Sequence, residues 1–267
     1  MYKKSPLLLS LFNQYSIQFL GHGAREDKIG DVFEDYCVQL LNNNDFLQRA
    51  KQNNLKNDID EYVYSSLIKY FPNLSQISNI TATNIIEHRY TGGNSKTDVI
   101  ADITYQNGDV TYFPISVKQS TAAKVAMAEF DVATIVREIG ITDSRLIELM
   151  EKHQRDASAK NFTFNEKEEL TQRLRPYKKR FVKWVVSGCP EDSNDLRFPK
   201  IIIKFGLTKP FNEQSLEEIE SINSYTIDEY VQNILYNNGY PVRGGFETGL
   251  SWTYATGSKG YKIQFKG

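Results

Sequence analysis

The sequence predicts an α/β protein whose core is a mixed β-sheet flanked by helices. Three observations carry this. Apolar residues recur at spacings of three and four from Asp27 to Leu41, and they alternate with polar ones on either side of Asn107-Gly108. The two periods also follow one another along the chain as helix, strands, helices, strand, helix, strands. With 267 residues, 40% hydrophobic and 24% charged, the chain is composed like a folded globular protein and not a disordered one. That length can bury one good core and no repeat or low-complexity linker divides it, so a single domain over residues 1–267 is expected.

In the first helix Ile29, Val32, Phe33, Tyr36, Cys37, Leu40 and Leu41 form the apolar stripe, Asp27 serves as N-cap and Glu34 lies at the outer edge. A second helix is expected from Ile59 to Tyr70, stopped by Pro72. The period then changes. Val99, Ala101 and Ile103 alternate with Asp98, Asp102 and Thr104, and after the Asn107-Gly108 turn Phe113, Ile115 and Val117 resume the pattern as a β-hairpin. Thr163 with Glu166, and Thr226 with Glu229, have capping-box spacing, so each pair opens a helix, the later one ending before Gly239. Between them Ile201-Ile202-Ile203 reads as a buried strand. The tail from Gly244 to Gly267 predicts a second hairpin, Trp252 to Ala255 and Tyr261 to Phe265, turning at Gly257 to Gly260.

Composition excludes several function classes. The apolar residues near the start, Leu7-Leu8-Leu9 with Leu11 and Phe12, fall far short of the roughly 20 needed to span a bilayer, and they lack the pattern of a signal peptide. Cys37 and Cys189 alone provide neither a disulfide framework nor a cysteine zinc site. A cytoplasmic protein without a membrane partner is therefore expected. His22, His88 and His153 lack metal-ligand spacing, and Gly93 to Thr97 fails as a phosphate loop because no glycine directly precedes Lys96. The net charge of −1 does not mark a nucleic-acid binder, yet charge is segregated. Ten Lys or Arg residues fall between Lys152 and Lys183, and Arg243, Lys259, Lys262 and Lys266 stand against Glu247 alone, whereas Glu213 to Glu229 holds six acidic residues and no basic one. This suits a positive face for phosphates, and it equally suits solvated helix faces laced with salt bridges.

The chemistry that the residues suggest lies in the hairpin. Period-2 alternation puts Ser116 and Lys118 on one face of their strand while Asp98 begins the partner strand, so the three side chains can converge. A carboxylate, a second oxygen donor and a lysine are what metal-assisted phosphodiester hydrolysis requires: the oxygens hold Mg²⁺ and the lysine positions or helps to deprotonate the attacking water. Spacing alone also fits a plain Asp98–Lys118 salt bridge at a strand end. Glu34 is a further metal candidate, or an exposed helix carboxylate.

A distributed resemblance separates these readings. Gly92-Gly93-Asn94-Ser95-Lys96-Thr97-Asp98, Ala128-Glu129-Phe130-Asp131-Val132 and Lys152-His153-Gln154-Arg155-Asp156-Ala157-Ser158-Ala159-Lys160 resemble the MspI-type type II restriction endonuclease family. So do Pro176-Tyr177 with Arg180-Phe181-Val182-Lys183-Trp184, and the tail Gly249-Leu250-Ser251-Trp252-Thr253-Tyr254-Ala255-Thr256-Gly257-Ser258-Lys259 through Gln264-Phe265-Lys266-Gly267. The match is weakest between about Asn42 and Thr91 and from Ser187 to Ser224.

The resemblance implies the PD-(D/E)XK nuclease fold, Mg²⁺ dependence and cleavage of the palindrome CCGG in double-stranded DNA after its first cytosine. It puts the family's catalytic Asp on Asp98 and its Lys on Lys118; the family's Asn two residues before the Lys is Ser116 here, which shifts coordination toward the carbonyl of Val117 or a water. It also implies base contacts from the 244–267 segment through Thr253, Ala255 (by its backbone), Thr256, Gln264 and Lys266. Guanine N7 and O6 need donors and cytosine N4 needs an acceptor. Lys124, Arg155, Lys160, Lys179 and Arg180 are candidate phosphate contacts. A monomer or a homodimer on DNA both fit, and a matching DNA methyltransferase is expected in the same system without a stable complex. A repair or general nuclease of the same fold, or a non-catalytic DNA-binding module, would share the predicted sheet.

Overall fold

The computed structural model describes residues 5–55, 58–86, 95–208, 216–236 and 246–267. His88, Arg243, Gly239 and the Gly92 to Asn94 part of the quoted run lie outside the described residues. The chain packs as two compact units, each built from two stretches: Met1–Ala123 with Asn194–Thr226, and Lys124–Ser193 with Ile227–Gly267.

The first unit opens with helices α1 (Pro6–Gln14), α2 (His22–Leu41), α3 (Asn44–Lys51) and α4 (Ile59–Ile68). Its sheet contains β1 (Ile77–Thr83), β2 (Val99–Tyr105), β3 (Val110–Ser120) and, after the second unit's first stretch, two further strands. These are Ile201–Leu207 and Ile219–Thr226, numbered β5 and β6 because the strand Ala126–Phe130 of the second unit is β4. The order is β1-β2-β3-β5-β6. Only β3 and β5 run parallel, so the sheet is mixed as the sequence predicts. The hairpin turns at Asn107-Gly108 as expected, with Gly108 at φ 89°, where glycine alone is unstrained.

The α2 stripe is the spine of this unit's core. Val32, Phe33, Tyr36 and Cys37 are wholly buried, and the Phe33 ring lies 4.7 Å from that of Phe205 on β5. The expectation for the start of this helix is corrected: α2 begins at His22 with Gly21 as its cap, so Asp27 is a helical residue and not the N-cap. Periodicity hid the extra turns because Arg25, buried and bonded in two places to Glu217, is polar where the pattern calls for an apolar side chain.

The second unit contains β4, α5 (Val132–Ile139), α6 (Ser144–Asp156), α7 (Phe164–Leu174), α8 (Lys178–Ser187), α9 (Ile227–Tyr236), β7 (Ser251–Thr253) and β8 (Ile263–Lys266). The capping box of Thr163 and Glu166 is formed at α7, and α9 starts directly after Thr226. Here the tail hairpin pairs as β7 and β8, but β8 is central, because β4 takes its other edge in the order β4-β8-β7. The inner face of this sheet packs Trp252 and Phe265 against Phe181 of α8 at ring separations of 5.5 and 5.2 Å. Among the described residues no helix is long and apolar enough to cross a membrane.

Candidate active site

Strand β2 begins where β3 runs on past it, and that overhang builds the site. Val99 pairs with Ile115, and the Asp98 N–H donates to the Ile115 carbonyl, so the Asp98 side chain stands beside the next residues of β3. Its Oδ2 accepts three hydrogen bonds: from the Ser116 hydroxyl at 2.9 Å, the Val117 backbone N–H at 2.7 Å and the Lys118 Nζ at 2.8 Å. Ser116 is buried, whereas Asp98 and Lys118 are half-buried. In an extended strand the N–H and C=O of one residue point to the same edge, so the Val117 carbonyl also faces the side on which Asp98 lies. The expected convergence of the Asp98, Ser116 and Lys118 side chains is formed, and the Val117 N–H joins it.

Helix α2 adds Glu34. It is half-buried, and its carboxyl is pushed up to about 7, first by burial, then by the charge of Asp98, with Lys118 opposing. Glu34 therefore lies within the field of the other two and is not an exposed helix carboxylate. Sequence reasoning passed over Lys96, two residues before Asp98 in the same extended run. Burial, then the charge of Lys118, push its ammonium down to about 8, with Asp98 opposing. Its backbone N–H is held at 2.9 Å by the Arg197 carbonyl, as is that of Thr97 at 3.2 Å, so this approach to β2 is fixed.

These donors suit a hard divalent cation. The Asp98 carboxylate, the Glu34 carboxyl that lies within its field, a hydroxyl and a carbonyl are all oxygen ligands of the kind Mg²⁺ takes. Among the described residues no group of three or more His, Cys, Asp or Glu side chains forms a metal cage.

The remaining candidates all lie in the second unit. Gln264 on β8 is opposite Thr253 on β7, and Lys266 is opposite Ser251; their side chains share the face away from the buried Ile263, Phe265 and Trp252. Ala255 and Thr256 follow β7 into a short 3₁₀ turn, Thr256–Ser258. Of the expected phosphate contacts, Lys160 and Lys179 are exposed. Arg155 is exposed with Asp156 3.8 Å away, and Arg180 is 3.5 Å from Glu191. Lys124 is half-buried and donates to the Gly249 carbonyl at 2.9 Å. Much of the basic run from Lys152 to Lys183 is neutralised within the unit: Lys152 pairs with Glu166, Arg173 with Asp143 and Glu169, and Lys183 with Asp192 and Asp228.

Comparison with known proteins gives this arrangement a lineage. The family described as Restriction endonuclease MspI matches residues 14–267. The chain belongs to that family. The Type II restriction enzyme MspI of Moraxella sp is 33% identical over 270 residues, covering 99% of this chain and all of that one. The Type II restriction enzyme BsuFI of Bacillus subtilis is 24% identical, covering 94% of this chain and 61% of its own length. A crystal structure of restriction endonuclease MspI in complex with its cognate DNA superposes with a TM-score of 0.82 at 33% identity, over 98% of this chain and 99% of that one. Family membership assigns the α/β architecture to the restriction-endonuclease fold, as the quoted runs imply.

Proposed function

We propose that this protein is a Mg²⁺-dependent type II restriction endonuclease that hydrolyses the palindrome CCGG in double-stranded DNA after its first cytosine, leaving a 5′ overhang. The observation that carries the reading is the single Asp98 oxygen on which Ser116, Val117 and Lys118 converge, in a chain of this family. Asp98, Glu34 and the Val117 carbonyl would hold the cation, which supplies charge stabilisation at the scissile phosphate when bound. Lys118, fixed by Asp98, orients an attacking water. Ser116 holds Asp98 in place, and its hydroxyl reaches less far than the family's carboxamide would. Lys96 brings a second cation to the same edge, suited to a phosphate oxygen.

Recognition is assigned to the 244–267 segment of a single restriction-endonuclease domain, through Thr253, Ala255, Thr256, Gln264 and Lys266. Lys124, Arg155, Lys160, Lys179 and Arg180 are assigned to phosphates, with Lys160 and Lys179 the best placed by exposure. A cytoplasmic location and a matching methyltransferase in the same system complete the reading.

Purified protein incubated with plasmid in Mg²⁺ or in EDTA tests the whole. Discrete bands with uniform ends mapping to CCGG, lost in EDTA, are expected. A smear would indicate a general nuclease, and intact but shifted DNA a binding module; either would overturn the proposal.

A further inference from the structure

The residues assigned to bases so far include good donors for guanine but no side-chain carboxylate for cytosine. The three-stranded sheet contains one. In the β4–β8 pairing Glu129 is directly opposite Gln264, and Gln264 is opposite Thr253 in the β8–β7 pairing, so Glu129, Gln264 and Thr253 form one row across the sheet. Residues opposite one another in an antiparallel pair project to the same face. The other face is occupied by Ile263, Phe265 and Trp252, all buried, so the row projects to the face assigned to bases.

Glu129 is half-buried, and its Oε1 accepts a hydrogen bond from the Ser258 hydroxyl at 2.9 Å. That same hydroxyl also reaches the Ala255 carbonyl at 3.4 Å, which ties the side chain to the turn carrying Ala255 and Thr256. A carboxylate held on a surface that must meet polyphosphate is repelled by it unless it meets a donor, and in a G·C-only site the major-groove donor is the cytosine 4-amino group.

We infer that Glu129 is a specificity-determining residue that accepts a hydrogen bond from the 4-amino group of one cytosine of the recognition site, with Ser258 as its positioning residue. The inference rests on the endonuclease reading above and adds a side-chain carboxylate acceptor to it. It has a plain rival: Glu129 pins the Thr256–Ser258 turn and touches no base.

A double-mutant cycle between protein and DNA separates the two. Binding is measured by fluorescence anisotropy without divalent metal, on CCGG duplexes in which each cytosine in turn is replaced by 2-pyrimidinone, which lacks the 4-amino group. For the wild type, replacement at one cytosine weakens binding about tenfold to a hundredfold. Glu129→Ala loses a comparable amount on the unmodified duplex, and for this variant the same replacement costs nothing further, whereas the other cytosines cost both proteins alike. Weaker pairing of the modified base cancels in the cycle.

Glu129→Gln, which keeps an oxygen for Ser258, serves as the fold-preserving variant and should show partial coupling at that same cytosine. Equal penalties for wild type and Glu129→Ala at every cytosine, with Ser258→Ala matching Glu129→Ala throughout, would overturn the inference in favour of the pinned turn. A wild type that binds CCGG no better than a scrambled duplex would instead overturn the parent reading, and this assignment with it.

Discussion

At the scale of single residues the site depends on one carboxylate oxygen. Lys118→Ala removes the group proposed to orient the water, so plasmid cleavage should vanish, whereas Ser116→Ala leaves the Val117 and Lys118 bonds to Asp98 and should retain measurable cutting. Equal loss in both would make Ser116 an essential ligand. Glu34→Gln keeps the shape of the side chain but removes charge that burial, and then the field of Asp98, already disfavour. DNA should bind with normal affinity and be cut slowly, as filter binding and single-turnover cleavage would register. Asp98 and Lys118 were legible in sequence because the hairpin's period-2 pattern lets them converge and the family resemblance puts its Asp and Lys on them. Lys96 was not, because two residues of extended chain before a strand leave no periodic trace, and its distinction comes from burial near Lys118. Glu129 sat within a quoted run yet showed no signal of its own, since its meaning depends on pairing with a strand more than a hundred residues away.

At the scale of elements, the face proposed to read bases depends on β8 lying between two partners. Gln264→Ala and Lys266→Ala change only the outward face. They should leave the melting temperature nearly unchanged while lowering CCGG cutting, whereas deletion of Gln264 to Gly267 removes the middle strand and should cost both. The approach to β7 is constrained by Gly249. At φ 79°, an added Cβ would lie 1.7 Å from the Ile234 carbonyl oxygen, so no side chain fits without moving α9. Gly249→Ala should destabilise the protein by more than about 2 kcal/mol, readable as a lower urea midpoint, and unchanged unfolding would contradict the packing.

The β7–β8 hairpin was visible in sequence through alternation and glycine turns. Its partner β4 was not, because five residues with one bulge carry too little pattern to stand out. The early start of α2 escaped for the opposite reason, a buried ion pair where an apolar residue was sought.

At the scale of the whole molecule, acid should act through His153. Its ring is buried among Phe162, Phe246 and Trp252, and burial pushes its pKa down from 6.5 to about 4. The unfolded chain therefore binds a proton at a pH where the folded one does not. The His153 contribution to stability is unchanged above about pH 6.5 and falls as pH drops toward 4, by roughly 3 kcal/mol in total. His153→Phe should flatten urea midpoints between pH 6.5 and 4, and an unchanged slope would sink this account. Salt acts on the other partner: Lys160→Ala and Lys179→Ala should each weaken binding to every DNA sequence and reduce the salt slope by about one.

Helix-strand order gave the fold class, but the division of the chain was not legible, since no change of composition marks residues 123, 193 or 226. The interleaving of the two units limits how the protein can be rearranged by recombination. Any single crossover would split at least one of the units between the two parents. Exchanging the second unit for that of a relative would need two separate inserts and three junctions made together.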